Sequence, residues 1–299
     1  MISIDPHTVS TAELHAHMLS SVAPRPICFA STIDNNGISN LSPYSFFNAF
    51  GSNPPTLIFS PARRVRDNTI KHTLENIMAN MEVCINVVNY DMVQQVSLAS
   101  CEYPKGTDEF VKAGFTKEAS VKIKPFRVKE SPVQIECIVK QVIETGQEGG
   151  AGNLVICEIV MMHIRESIIN AKGVIDQNKI DLVGRLGADT YVRASGLALF
   201  DVEKPNKNRG IGIDALPESI RNSHILSANN LGQLANVEKL PNSEEVEMVN
   251  NNSEIRNLIY RLETDPENLE IQLHMKAKQL LDAGNVVEAW KLLLIKMEK

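Results

Sequence analysis

At 299 residues, with 43% hydrophobic and 22% charged side chains, the chain has a globular composition and room for one main domain plus an appendage. Its formal charge of -6 argues against general nucleic-acid binding, because no basic surplus is available to displace counterions from phosphates. No apolar run reaches membrane-spanning length and MISIDPHTVS lacks the basic-then-apolar pattern of a secretory leader, so no membrane association and a cytoplasmic location are expected.

Residues 9 to 20 predict a short helix with Ser10 or Thr11 at its N-cap. Pro26 to Ile33 is apolar and β-prone, Asp34-Asn35-Asn36-Gly37 supplies a hairpin turn, and Ile38 resumes extended chain. A loop follows in which Asn40, Ser42, Tyr44, Ser45, Phe46, Phe47 and Asn48 crowd together around Pro43. Flat apolar faces beside neutral hydrogen-bond groups suit a planar ligand rich in heteroatoms; an ordinary barrel edge is the alternative.

TLIFSP closes this strand-rich region near residue 61, and Ile70, Leu74 and Ile77 space a helix over 69 to 80. Residues 81 to 89 then read as a buried strand, 91 to 100 as a short helix, and 103 to 116 as a turn-rich segment with a brief helix at DEF. Two long β-patterned runs, 131 to 144 and 153 to 167, flank the turn GQEGGAG. At least six strands with short polar connections and few helices favour an antiparallel barrel over a doubly wound sheet.

Five cysteines, Cys28, Cys84, Cys101, Cys137 and Cys157, form no CxxC pair, which argues against a disulfide framework or a zinc site. Most lie in apolar stretches and read as buried small hydrophobes; Cys101, between Ser100 and Glu102, is the one expected to be exposed.

Three units follow from composition: a barrel over 1–205, a polar Asn-rich linker or arm over 206–252, and helices over 253–299. Ser253 opens a helix through Leu262. Asp265-Pro266 starts a second that ends at Gly284, and Asn285 caps a third carrying Trp290 and Met297. The last two resemble one tetratricopeptide hairpin, whose apolar stripe must be covered by another helix, the barrel or a second subunit.

Basic residues gather once near the aromatic loop: Arg63, Arg64, Arg66 and Lys71, after Ser60 and before Thr73 at the start of a helical pattern containing Asn76. Cations at a helix N-terminus suit a phosphate; a solvated cationic loop is the alternative. A ligand with a flat polycyclic end and a phosphate tail would join this cluster to the aromatic loop, and flavin mononucleotide (FMN) has that form.

PRPICFASTIDNNGISNLSPYSFFNAFGSNPPTLIFS, KHTLENI, YPKGTDEFVKAGFT, SPVQIEC and RLGADTYVR together resemble the flavin reductase-like family with an FMN-binding split β-barrel, which includes flavoredoxin. The likeness spans about residues 15 to 205. It implies a mainly β fold with helices, to which the C-terminal helical hairpin is an extension, and a homodimer with flavin near the interface. It also implies hydride transfer from NADH or NADPH to flavin, or onward electron transfer. Carried over by residue, Ser31 and Thr32 would sit by the ring and ribityl chain, and Asn40, Ser42, Ser45, Phe46 and Phe47 would hold the ring edge and tail. Ser60, Arg64, Lys71 and Thr73 would take the phosphate with Asn76 behind them. His72 stands where the family usually has Asp, a good N-cap replaced by a poor one. Arg185 is placed either in the cofactor pocket or in a structural ion pair. His163 is either a satisfied strand residue or a group near the flavin, and no other catalytic side chain is expected.

Hydride transfer to flavin asks the protein for orientation and water exclusion rather than a catalytic dyad. No GxGxxG follows a strand, so reduced nicotinamide would bind transiently on the flavin face. Two further readings stay open: an electron carrier without nicotinamide activity, and a non-catalytic protein that binds a partner through its C-terminal helices.

Overall fold

The computed structural model describes residues 1–202, 204–205 and 209–295, and the chain divides into a unit over Met1–Phe200 and another over Asp201–Lys299. In the first, α1 (Thr11–Ser21) precedes β1 (Cys28–Ile33), β2 (Ser39–Tyr44), β3 (Phe47–Ser52) and β4 (Pro55–Phe59). Then come α2 (His72–Asn80), β5 (Glu82–Val87), α3 (Val93–Leu98), α4 (Glu109–Ala113) and the short β6 (Lys117–Glu118) and β7 (Arg127–Val128). The long strands β8 (Val133–Glu144) and β9 (Asn153–Ile164) follow, then α5 (Gln177–Ile180) and the ribbon of β10 (Leu182–Arg185) and β11 (Tyr191–Ala194).

Seven strands form one antiparallel sheet in the order β2-β1-β5-β8-β9-β4-β3. Its two edge strands, β2 and β3, are separated in the chain only by Ser45 and Phe46. The three Cα steps from Tyr44 to Phe47 span at most about 11 Å, so the sheet has to roll until its edges nearly meet. The loop expected over 40 to 48 is therefore two edge strands joined by a bend. Register shifts in the β8–β9 pair, at Glu136/Cys137 and Val139/Gln141, bend the longest strands with this curl.

Alternation assigns the two faces. Cys28 and Ala30 point into a core with Phe59, Ile85, Cys137, Val155 and Cys157, which Leu74 and Ile77 of α2 also join. Ile27 and Phe29 point the other way, against Leu41, Met92, Val96, Phe110 and Phe115. Burial on both faces explains the nearly continuous apolar run of β1. Four cysteines are buried and Cys101 is exposed, as expected; burial pushes the Cys157 thiol up to about 12.

The second unit holds α6 (Glu218–Arg221), α7 (Ala228–Ala235), α8 (Ser243–Asn250), α9 (Ser253–Arg261), α10 (Pro266–Asp282) and α11 (Val286–Leu293). The three expected C-terminal helices are α9 to α11; Met297, expected in the last, lies outside the described residues, as does Asn206 at the start of the arm. The arm itself corrects the linker reading. It carries the three helices α6 to α8, and its Leu216, Ile220, Leu226 and Leu234 bury Ala277, Leu281 and Trp290 of the α10–α11 hairpin. The Trp290 indole donates to the Leu234 carbonyl at 3.0 Å. Polar residues that suggested a linker are in part helix caps: Ser227 with Asn230 and Asn242 with Glu245 form capping boxes, and Asn252 caps α9.

Candidate functional site

The β1–β2 hairpin sets out the first half of the site. Asp34 Oδ1 accepts from the Asn36 and Ile38 N–H groups, and Gly37 takes φ +84°. In the resulting register Thr32 faces Asn40, Ala30 faces Ser42 and Cys28 faces Tyr44. The two-residue period thus puts Asn40, Ser42 and Tyr44 in one row with Thr32 beside its head. Ser31 lies opposite Leu41, on the other face. Its hydroxyl is buried without a hydrogen-bond partner, so the adjacent Ser31 and Thr32 do not serve one cleft from this strand.

A directed chain of bonds runs through the row. Tyr44 O–H donates to Thr73 Oγ1 at 2.8 Å, Thr73 donates to Asn40 Oδ1 at 2.6 Å, and Asn40 Nδ2 donates to Glu109 Oε1 at 3.0 Å. Asn76 Nδ2 supports Thr32 Oγ1 at 3.1 Å. Glu109 also accepts the Leu41 N–H at 3.0 Å, covering a donor on the edge strand. Burial pushes the Tyr44 phenol up to about 12 against the opposing Thr73 and Ser42 hydroxyls. These side chains are oriented before any ligand arrives.

The cationic end comes from the segment between β4 and α2. Arg64 Nη1 donates to Thr69 Oγ1 at 2.8 Å and to the Ile70 carbonyl at 2.6 Å, which directs its Nε to Glu102 Oε1 at 3.1 Å. Lys71 Nζ lies 3.6 Å from the same oxygen, and Arg66 Nη2 lies 3.2 Å from Glu102 Oε2. Lys71, Arg64 and Arg66 hold the Glu102 carboxyl below the usual range. Arg63 turns away to Asn68. Helix α2 has Lys71 at its N-cap with no side-chain cap bond, and His72 is its first residue. The Asp-to-His departure therefore does not fall on the cap position. Desolvation, with nearby Arg64 and Lys71, holds the His72 imidazole below its ordinary value.

Asn40, Ser42, Tyr44, Arg64, Lys71 and Thr73 line one open cleft, together with Cys101, Glu102 and Glu109. Five expected site residues are thus together, and Thr32 adjoins them through Asn40 at 3.4 Å. Others are engaged elsewhere. Ser60 Oγ accepts the Asn153 N–H at 3.0 Å and ties β4 to β9. Ser45 Oγ accepts from Arg25 Nε at 3.3 Å, Phe46 meets His15 edge-on, and Phe47 packs on the barrel core. His163 Nε2 lies 2.7 Å from the buried Glu136, away from the cleft. Arg185 lines a separate cavity of about 350 Å³ with Tyr90 and Arg193, its guanidinium stacked 4.6 Å from the Tyr191 ring centroid.

Sequence reasoning names Tyr44 in the aromatic loop but gives it no cofactor contact, and it does not nominate Glu102 or Glu109. Tyr44 shares the two-residue period of Asn40 and Ser42; the two acids come from segments whose local pattern says nothing of the hairpin. No group of His, Cys, Asp or Glu suited to a metal ion occurs among the described residues, and no described helix is long and apolar enough to cross a membrane.

Residues 19–179 match the family described as "Flavin reductase like domain". The chain belongs to that family, and the rolled sheet is its split barrel. Over 183 residues the chain is 33% identical to a protein of Aquifex aeolicus, covering 61% of this chain and 91% of that one. Among solved structures it is similar to nitrilotriacetate monooxygenase component B from Bacillus cereus, with a TM-score of 0.63 and 25% identity over 68% of this chain and 98% of the other. The 2-nitrobenzoate 2-nitroreductase of Pseudomonas fluorescens gives a TM-score of 0.60 at 25% identity, over 68% and 96% respectively. Family membership supports a flavin-related oxidoreductase role.

Proposed function

We propose that the first unit binds FMN and uses it to take hydride from NADH or NADPH and pass electrons to a further acceptor. The observation that carries this is the convergence of Arg64, Arg66 and Lys71 on one carboxylate, at the end of the Asn40–Ser42–Tyr44 row. A phosphate monoester needs several donors at once, because its charge is costly to desolvate unpaired. Arg64, Lys71 and Arg66 meet that need, and Glu102 already shows that an anion can sit among the cations.

Bound flavin would supply a two-electron acceptor. The chain's own work is then positional. Thr32, Asn40 and Ser42 present neutral hydrogen-bond groups, and the Tyr44–Thr73–Asn40–Glu109 chain keeps them in place. His163 and Ser60, committed to Glu136 and Asn153, have structural parts in this reading. A second copy of the chain completes it: alternation along β9 leaves Val160, Met162 and Ile164 exposed, a face suited to burial in a homodimer.

The purified protein is expected to show oxidised-flavin absorption, bleached in stopped flow by NADH or NADPH. A protein that refuses added FMN overturns the cofactor assignment. One that binds FMN but is reduced by neither nicotinamide overturns the reductase activity alone. Sedimentation at micromolar concentration tests the dimer.

A further inference from the structure

We propose that Glu102 is the resident counter-anion of the cationic seat, displaced when a phosphate ester binds, and that this side chain thereby sets how tightly the cleft holds phosphate. The inference rests on the reading of the cleft as a phosphate-bearing nucleotide site. Glu102 stands 38 residues beyond Arg64 in sequence, yet its two oxygens occupy the point where Arg64, Arg66 and Lys71 meet. Three cations face the Glu102 carboxylate and Asp67 pairs with Arg66 at 3.0 Å, which leaves one positive charge uncompensated. A phosphate dianion carries twice the charge of the carboxylate and offers more acceptor oxygens, so it is the better occupant of the same place.

Removing the Glu102 charge has two opposing consequences. It takes away a competitor, and it takes away a group that helps hold the cations. The anchoring of Arg64 decides between them. Its Nη1 bonds to Thr69 and Ile70 do not involve Glu102, and its side chain is 16% exposed. Arg64 therefore stays directed at the seat when Glu102 is neutral. Arg66, 73% exposed, is the cation that depends on its carboxylate partners. Glu102 is itself 45% exposed, so its pairs are screened and weak enough for a ligand to break.

The test is titration of apoprotein with FMN and with riboflavin, which has the same ring and ribityl chain without phosphate, followed by quenching of flavin fluorescence. Glu102→Gln is expected to bind FMN roughly two- to tenfold more tightly than the wild type, the range that screened ion pairs allow. Riboflavin affinity is expected to stay the same. Glu102→Ala, which removes the competing carboxylate without adding an amide, is expected to show the same ordering. If both variants bind FMN no better than the wild type, or gain equally for riboflavin, the role of Glu102 is overturned while the cleft assignment stands. If neither wild type nor variants bind FMN, the cleft assignment falls and takes this inference with it.

Discussion

Glu109 and Glu136 are both buried carboxylates that accept hydrogen bonds from neighbouring segments, yet burial prevails at one and is overcome at the other. At Glu109, desolvation raises the carboxyl above its ordinary value in spite of the Leu41 N–H and the Asn40 amide. At Glu136 desolvation also pushes upward, but the Val121 and Lys122 N–H groups, at 2.8 and 2.6 Å, and His163 at 2.7 Å hold the carboxyl below it. The two backbone N–H groups at Glu136, reinforced by His163, outweigh desolvation, whereas the donors at Glu109, beside the like charge of Asp108, do not. Glu136 thus clamps the segment before β7 to the long strands, whereas Glu109 holds Asn40 at the edge of a cleft. Two acids of similar burial serve different ends because their donors differ.

The largest expected effect tests the clamp. Glu136→Ala leaves two backbone donors and an imidazole without their acceptor, and should lower unfolding free energy in urea by about 3–5 kcal/mol. Glu109→Ala should cost less, about 1–3 kcal/mol, and should also weaken FMN binding because Asn40 loses its support. Equal losses of stability, or unchanged FMN binding in Glu109→Ala, would break the contrast.

Arg64→Ala removes the best-anchored cation and should weaken FMN binding about 10- to 100-fold, as expected for hydrogen bonds to a charged group. Riboflavin titration should show little of this loss. Tyr44→Phe is milder: without its O–H, Thr73 loses one donor, and stability should fall by about 0.5–1.5 kcal/mol in urea denaturation.

The pH dependence sharpens the same comparison with the smallest effects. The folded-state value of Glu136 is depressed, so its contribution is present above the ordinary carboxylate range and is lost as pH falls through that depressed value. Glu109, whose folded-state value is raised, acts oppositely: the folded state takes up its proton first, and stability gains as pH falls through the raised value. Urea midpoints measured between neutral and acidic pH should therefore decline less steeply in Glu136→Gln than in the wild type. In Glu109→Gln they should decline more steeply.

Much of the architecture could be read locally. The Asp34–Gly37 turn, the long strands β8 and β9 and the caps of α1 and α10 are written in periods and caps of a few residues, and the structure shows them where expected. Asn40, Ser42, Arg64, Lys71 and Thr73, which flank the hairpin and the start of one helix, line one cleft. The arm over 206–252 was misread because its sparse leucines are explained only by the hairpin they cover, and its asparagines act as caps rather than as solvated linker.

What the sequence determined by itself was the local structure and the chemical type of the site: apolar alternation, turn residues, helix starts and a group of cations beside neutral amides. Only the tertiary structure decided that β2 and β3 close the sheet across two residues, that Ser31 and Thr32 face opposite ways, and that Glu102 and Glu109 reach the cleft. Local preferences act over a helical turn or a strand pair. The distance between Leu41 and Glu109, 68 residues apart, is set by how the rolled sheet and its covering helices pack, and no short-range pattern encodes that.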